Sequence, residues 1–217
     1  MVELGLKLTL SYLIGSVIGS LVVGYFRGGV DIRTVGSGNA GGTNALRTQG
    51  KTFAFWVMVI DVGKGILATA VVPDLDVPGV GFDPEIDRGL VLYGVAFAAI
   101  VGHVFPIWFG FRGGKGGATA AGLVLYLAPS IGVVAIAAWL LVVLLTGFVG
   151  LATISAGLAS VAVIGFTRLP AEPGLFAFAV CTAALLVYTH RGNIQRMSNG
   201  TESRFSRPVV SRLLGGK

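Results

Sequence analysis

Long apolar runs alternate along this chain with short polar stretches rich in glycine. A membrane-spanning helix needs about 20 mostly apolar residues. On that measure Leu8–Phe26 is the first predicted span, with Lys7 placed to snorkel at its end. Its small residues Gly15, Ser16, Gly19 and Ser20 recur at a spacing that lets another helix approach closely. Phe53–Val72 is the second span and carries Asp61 and Lys64, three apart on one helical face. Leu90–Phe109 and Ser130–Phe148 are long enough to cross; Leu151–Phe166 and Leu175–Tyr188 are shorter. Ala118–Ala128 is apolar but would reach only about 16 Å as a helix, roughly half a bilayer core.

Charge decides how to count that short segment. The loops Arg27–Lys51 and Arg112–Lys115 and the tail from Thr189 are basic, with Arg207, Arg212 and Lys217 near the end. Pro73–Arg88 is acidic. Basic loops belong in the cytoplasm, and placing Lys115 and the tail on one side requires an even number of crossings between them. Counting Ala118–Ala128 gives four. The expectation is an all-α polytopic helical bundle of seven transmembrane helices, some short, with the N-terminus outside and the C-terminus cytoplasmic. Residues 1–217 then form one membrane domain. Three polar stretches, Gly36–Arg47, Gly102–Gly117 and His190–Glu202, fall on the cytoplasmic side; Pro73–Arg88 and Thr167–Gly174 face out.

Composition agrees. The chain is 54% apolar and 12% charged, where a soluble domain carries about 25% charged residues. The net charge of +6 reads as positive-inside loops in such a chain, so no nucleic-acid partner is expected. One cysteine, Cys181, excludes an intramolecular disulfide, and two histidines leave little for a metal centre. No metal and no cofactor are expected.

The chemistry lies in the polar stretches. Gly36–Arg47 reads GSGNAGGTNALR. Glycines turn backbone N–H groups inward around an anion, and Arg47 adds a planar fork matched to phosphate oxygens. It fits G-x-G-x-x-G at Gly36, Gly38 and Gly41, a weak match without a strand before it. Gly113–Gly117 with Lys115 at its centre is a second cradle or a glycine-rich connector; it lacks the first glycine and the Ser/Thr of a P-loop, which argues against nucleotide hydrolysis. His190, Asn193 and Arg196 are three apart, sharing one helical face or forming a snorkelling basic tail. His103 suits a structural helix end or a catalyst. Asp61 and Lys64 suit a buried structural pair, though intramembrane charges are functional candidates by default. Ser155 is an ordinary packing residue on pattern alone. No Gly-x-Ser-x-Gly elbow is present, and neither histidine heads a His-x4-Asp motif.

Taken together, GSGN-x-G-x-TN-x-x-R, GH-x-FP…GGKG and HR-x-NI-x-R…G-x-E resemble the bacterial PlsY family of membrane acyltransferases. The match runs in order over nearly the whole chain. Departures are few: Arg112 where Lys is common, Gly117 after the GGKG core, Ser203-Arg204 after Glu202, and a longer acidic outer loop. The resemblance implies transfer of an acyl chain from acyl phosphate to the 1-hydroxyl of glycerol 3-phosphate in the bacterial inner membrane, with the active site cytoplasmic and no obligatory protein partner. Residue by residue, it implies that Ser37, Arg47 and Lys115 hold phosphate, in the catalytic set with His190 and Asn193. Gly36, Gly38, Asn39, Thr43 and Asn44 shape the first cradle, and Gly113, Gly114 and Gly116 give backbone donors in the second. His190 and Asn193 bind or orient glycerol 3-phosphate. Ser155 touches substrate by family analogy alone. His103, Asp61, Lys64, Arg196 and Glu202 support the loops. A transporter of a phosphorylated metabolite is the rival class, weakened by polar stretches on one face and no visible inverted repeat. A structural scaffold is the third, and it leaves the polar loops unexplained.

Overall fold

The computed structural model describes residues 1–205, and Arg207, Arg212 and Lys217 of the basic tail lie outside the described residues. Among the described residues every regular element is helical. The chain falls into two compact units, Met1–Tyr126 and Leu127–Lys217. The first holds α1 (Val2–Gly15), α2 (Gly19–Phe26), α3 (Gly42–Gln49), α4 (Lys51–Val71), α5 (Arg88–Val104) and all but the last residue of α6 (Gly117–Leu127). The second holds α7 (Pro129–Thr146), α8 (Val149–Thr167), α9 (Pro173–Thr189) and α10 (Arg191–Ser198).

By length and composition α4 continued to Asp74, α5 continued to Phe109, α7 and α8 can each cross a membrane. Six spans result if each bent pair, α1 with α2 and α9 with α10, is one, and α6 is a further apolar helix of 11 residues. Pro106 ends the α-helical part of α5 at Val104, because the residue before a proline leaves the helical region, and the 3₁₀ turn Ile107–Phe109 carries the candidate span to the predicted Phe109.

The predicted continuous span Leu8–Phe26 is corrected to two helices bent by 44°. The break leaves the Val17 carbonyl and the Gly19 amide outside any helical ladder. Lys64 Nζ donates to Val17 O at 2.6 Å, and Gly19 N donates to Asp61 Oδ1 at 3.0 Å. Each such group unsatisfied in hydrocarbon costs several kcal/mol, so the buried charges on α4 are what make the break tolerable. Both halves are apolar, so hydropathy alone shows no interruption.

Lys7 is also corrected. It does not snorkel but is fully buried. Its ammonium lies 2.8 Å from Glu3 Oε1, donates to Pro73 O at 2.6 Å, and sits 4.4 Å from the centre of the Phe82 ring. Arg88 completes the cluster with 2.8 and 3.0 Å bonds to the same Glu3 carboxylate. A buried ammonium persists only when paired in this way. The long Pro73–Arg88 loop thus supplies partners that fasten it to the start of α1.

Helices α1 and α5 pack at backbone contact. A Cβ at Gly15 would overlap Ala99, and one at Gly102 would overlap Tyr12. Ser11 Oγ donates to Val95 O at 2.6 Å and the Tyr12 hydroxyl donates to Phe105 O at 2.7 Å across the same seam. In the second unit α8 packs against both α7 and α9, with Gly157 lying over Ala183 and Leu186.

Candidate active site

The first polar loop is built around Asn44 on α3, which is 1% exposed. Its Nδ2 donates to the carbonyls of Ile32, Val35 and Asn39 at 2.9–3.1 Å, and its Oδ1 accepts from Ser37 N at 2.9 Å. Gly36 has φ +61°, and a Cβ there would overlap Asn44 Oδ1, so only glycine fits. Beneath the loop Ile32, Ala45, Val23, Phe53, Ala54 and Val57 form one buried apolar cluster that fixes α3 to α2 and α4.

The cradle differs from a simple ring of backbone donors. Ser37 N is engaged by Asn44, and Gly38 N donates to Val35 O at 3.1 Å. The start of α3 has no side-chain cap, so no capping side chain takes its first-turn amides. Thr43 and Arg47 are four apart on that helix and share a face. The Ser37 and Thr43 hydroxyls and the Arg47 guanidinium make no hydrogen bond to another described residue. Ser37 and Arg47 are exposed, while Asn39 and Thr43 are half-buried.

The second loop doubles back on the end of α5. Phe109 N and Phe111 N both donate to Pro106 O, and the chain turns at Gly110 and Phe111. Gly113 N then donates to Val104 O at 3.2 Å and Gly114 N to His103 O at 3.1 Å. The expectation that Gly113 and Gly114 present their amides to a ligand is therefore corrected: both amides are bonded to α5. These glycines are needed for approach, because a Cβ at Gly114 would overlap the His103 imidazole. Gly116, at φ +86°, accepts from Ala120 N at 2.8 Å and opens α6, with Lys115 half-buried just before it.

His103, Asp61 and Lys64 meet under this loop. Lys64 Nζ is 2.8 Å from His103 Nδ1 and 3.1 Å from Asp61 Oδ1, and His103 Nδ1 is 3.4 Å from the same oxygen. Thr119 Oγ1 on α6 donates to Asp61 O at 2.9 Å. One buried constellation thus braces the α1–α2 break, the floor of the second loop and the start of α6.

Two residues that the sequence pattern passed over lie between the loops. Asp31 caps the short 3₁₀ turn Ile32–Thr34 by accepting from Arg33 N at 2.9 Å. It also takes the Arg33 side chain, through Nε at 3.0 and 3.1 Å and Nη2 at 2.7 Å. That side-chain bond, helped by the Arg33 amide against partial burial, holds the Asp31 carboxyl below its ordinary value. Arg33 Nη1 reaches the second loop, donating to Phe109 O at 3.3 Å and Arg112 O at 3.2 Å. An Asp-x-Arg step beside a glycine loop was the available signal.

In the second unit His190 ends α9 with Nδ1 2.8 Å from Leu186 O. A carbonyl only accepts, so Nδ1 carries the hydrogen and a neutral ring has Nε2 as acceptor. Asn193 and Arg196 on α10 share one partner: Asn193 Nδ2 donates to Glu202 Oε1 and Arg196 Nε to Glu202 Oε2, each at 2.6 Å. Two of the three residues of the predicted face, Asn193 and Arg196, thus meet at Glu202, while His190 precedes α10 and turns its Nδ1 back to Leu186. Gly150 on α8 abuts Asn193, and Ser155 is half-buried on the same helix.

Residues 6–200 match the family model described as glycerol-3-phosphate acyltransferase. The glycerol-3-phosphate acyltransferase of Rhodospirillum rubrum is 40% identical over 93% of this chain and 90% of that protein. Its counterpart in Chlorobaculum parvum is 35% identical over 92% and 95%. Among solved structures, the glycerol 3-phosphate form of PlsY, an integral membrane glycerol 3-phosphate acyltransferase, aligns with TM-score 0.80 at 30% identity over 99% of both chains. The lysophosphatidic acid form of PlsY aligns with TM-score 0.78 at 31% identity over 94% of this chain and 95% of that one.

Proposed function

We propose that this chain, which belongs to the glycerol-3-phosphate acyltransferase family, moves an acyl chain from acyl phosphate to the 1-hydroxyl of glycerol 3-phosphate. Lysophosphatidic acid and inorganic phosphate leave. The chain is a multi-pass membrane enzyme. The observation that carries the reading is a pair of anion-receptive loops in one compact unit. One offers Ser37, Thr43, Arg47 and the uncapped start of α3, and the other holds Lys115 at the head of α6. Both substrates carry phosphate.

Acyl phosphate is a mixed anhydride and arrives activated, so the enzyme has mainly to align two reactants and stabilise the developing oxyanion. Ser37, Arg47 and Lys115 hold phosphate groups. Asn44 fixes the first loop, with Gly36, Gly38, Asn39 and Thr43 giving its shape. Gly113 and Gly114 seat the second loop on His103, and Gly116 opens α6. His190 and Asn193 bind or orient glycerol 3-phosphate. Ser155 contacts substrate. Glu202 and Arg196 position Asn193, and Asp61, Lys64 and His103 support the second loop. The leaving phosphate takes the proton from the attacking hydroxyl, so no protein nucleophile, metal or cofactor enters the reaction. Protein purified in detergent carries out the transfer without a sealed compartment; a transporter of a phosphorylated metabolite would release no phosphate there.

The two units act as one acyltransferase domain in the bacterial inner membrane. It has seven crossings, the N-terminus outside and the active site cytoplasmic, and no obligatory protein partner. In a Cys181→Ser background, single cysteines at Asp83 and Ser203 therefore label from opposite sides of intact cells. Labelling of both from outside would contradict the topology.

A further inference from the structure

We propose that Arg33 is a positioning residue that fixes the second phosphate-binding loop to the first, with Asp31 clamping its guanidinium. The inference rests on the acyl-transfer reading given above. A guanidinium has five N–H donors in a rigid plane. Asp31 takes Nε and one Nη2 hydrogen, and both Nη1 hydrogens go to the carbonyls of Phe109 and Arg112. Four of the five donors are thus engaged by protein. Arg47, by contrast, engages no described residue.

The root of Arg33 is itself anchored. Its turn is held by Asp31 and by the Ile32 carbonyl bonded to Asn44, and Ile32 is fully buried. At the far end the acceptors are main-chain oxygens, which no rotamer can swing away. Gly113 and Gly114 fasten the base of the second loop to α5, whereas Phe109–Arg112 form its tip. Arg33 is the side chain that reaches that tip from the first loop, and its guanidinium also lies 5.8 Å from the centre of the Phe109 ring. The strap therefore sets the separation of Arg47 and Lys115 without using either one.

Loss of the strap leaves the phosphate ligands in place but lets them drift. A misplacement of about 1 Å costs about 100-fold in rate. In a Cys181→Ser, Arg112→Cys background, which keeps the Arg112 main-chain carbonyl, Arg33→Met is expected to lower kcat by about 10- to 100-fold. KM for each substrate stays within about threefold, since ground-state ligands remain. Maleimide modification of the thiol at position 112 speeds up several-fold at unchanged Tm, and Arg33→Lys recovers only part of kcat. Unchanged kcat, unchanged thiol reactivity, or a large rise in one KM with kcat preserved would each overturn the proposal; the last would make Arg33 a substrate ligand. Should Arg33→Met not fold, Asp31→Asn leaves the guanidinium and both carbonyls present but unclamped. It is expected to lower kcat and raise thiol reactivity together, and no change in either overturns the strap. The thiol readout needs no substrate. A failed strap therefore differs from a failed acyl-transfer reading, which would show as no turnover in the parent protein.

Discussion

Arg47→Lys is expected to lower kcat/KM about 10- to 100-fold while leaving the protein folded. Lysine keeps the charge but loses the planar fork that meets two phosphate oxygens at once. A hydrogen bond to a charged group is worth about 1.5–3 kcal/mol, and about 1.4 kcal/mol is a tenfold change in rate. The Arg47 side chain is exposed and bonds to no described residue. Its replacement orphans no buried group, so stability should shift by no more than about 0.5 kcal/mol. Lys115→Ala removes the charge proposed to hold the reacting phosphate and should cost about 100- to 1,000-fold in kcat. Turnover and Tm measured on the same preparations check both. Near-normal turnover in either variant would mean that the phosphate sites are misplaced.

Much of this site was legible because its parts are local. Ser37, Asn39, Thr43, Asn44 and Arg47 all lie within one glycine-rich stretch and could be picked out together, although the ring of backbone donors expected there is replaced by a loop braced on Asn44. The Asn193–Arg196 face followed from a three-residue interval on α10. What stayed hidden depends on contacts distant in sequence. The break after Gly15 is paid for by Lys64 and Asp61 nearly fifty residues later, and no local property of an apolar run reveals such a partner. Lys7 read as a snorkelling end because Glu3, Pro73 and Phe82 come together only in the fold. Gly113 and Gly114 look like phosphate donors in sequence, yet their amides close the end of α5. Glycine there marks a close approach to His103, which spacing cannot distinguish from an anion cradle. Arg33 was overlooked for the same reason, since its acceptors are carbonyls about eighty residues away.

The donor should be acyl phosphate, by a wide margin. A thioester such as acyl-CoA brings an adenine nucleotide that needs room and contacts of its own. Its leaving thiolate cannot bridge residues arranged for phosphate. Its sulfur is itself the leaving atom, whereas phosphate has non-bridging oxygens that can reach the proton of the attacking hydroxyl, so a thioester would need a protein base. A positioned general base is worth about 100- to 10,000-fold, and the chain has no His-x4-Asp motif to provide one. At equal chain length, turnover with acyl-CoA or acyl carrier protein as donor should be at least about 100-fold below that with acyl phosphate, and free phosphate should inhibit weakly as a product. Comparable turnover with acyl-CoA would overturn both the donor and the role of the leaving phosphate as proton acceptor.

The most direct measurement follows both products at once. Purified protein in detergent is given acyl phosphate, with and without glycerol 3-phosphate, and inorganic phosphate and acylated glycerol 3-phosphate are quantified together. Acyl transfer predicts that the two appear in equal amounts, that the acyl group is on the 1-hydroxyl, and that both vanish when glycerol 3-phosphate is withheld. Phosphate release that continues without glycerol 3-phosphate, or that leaves no lysophosphatidic acid, would contradict it.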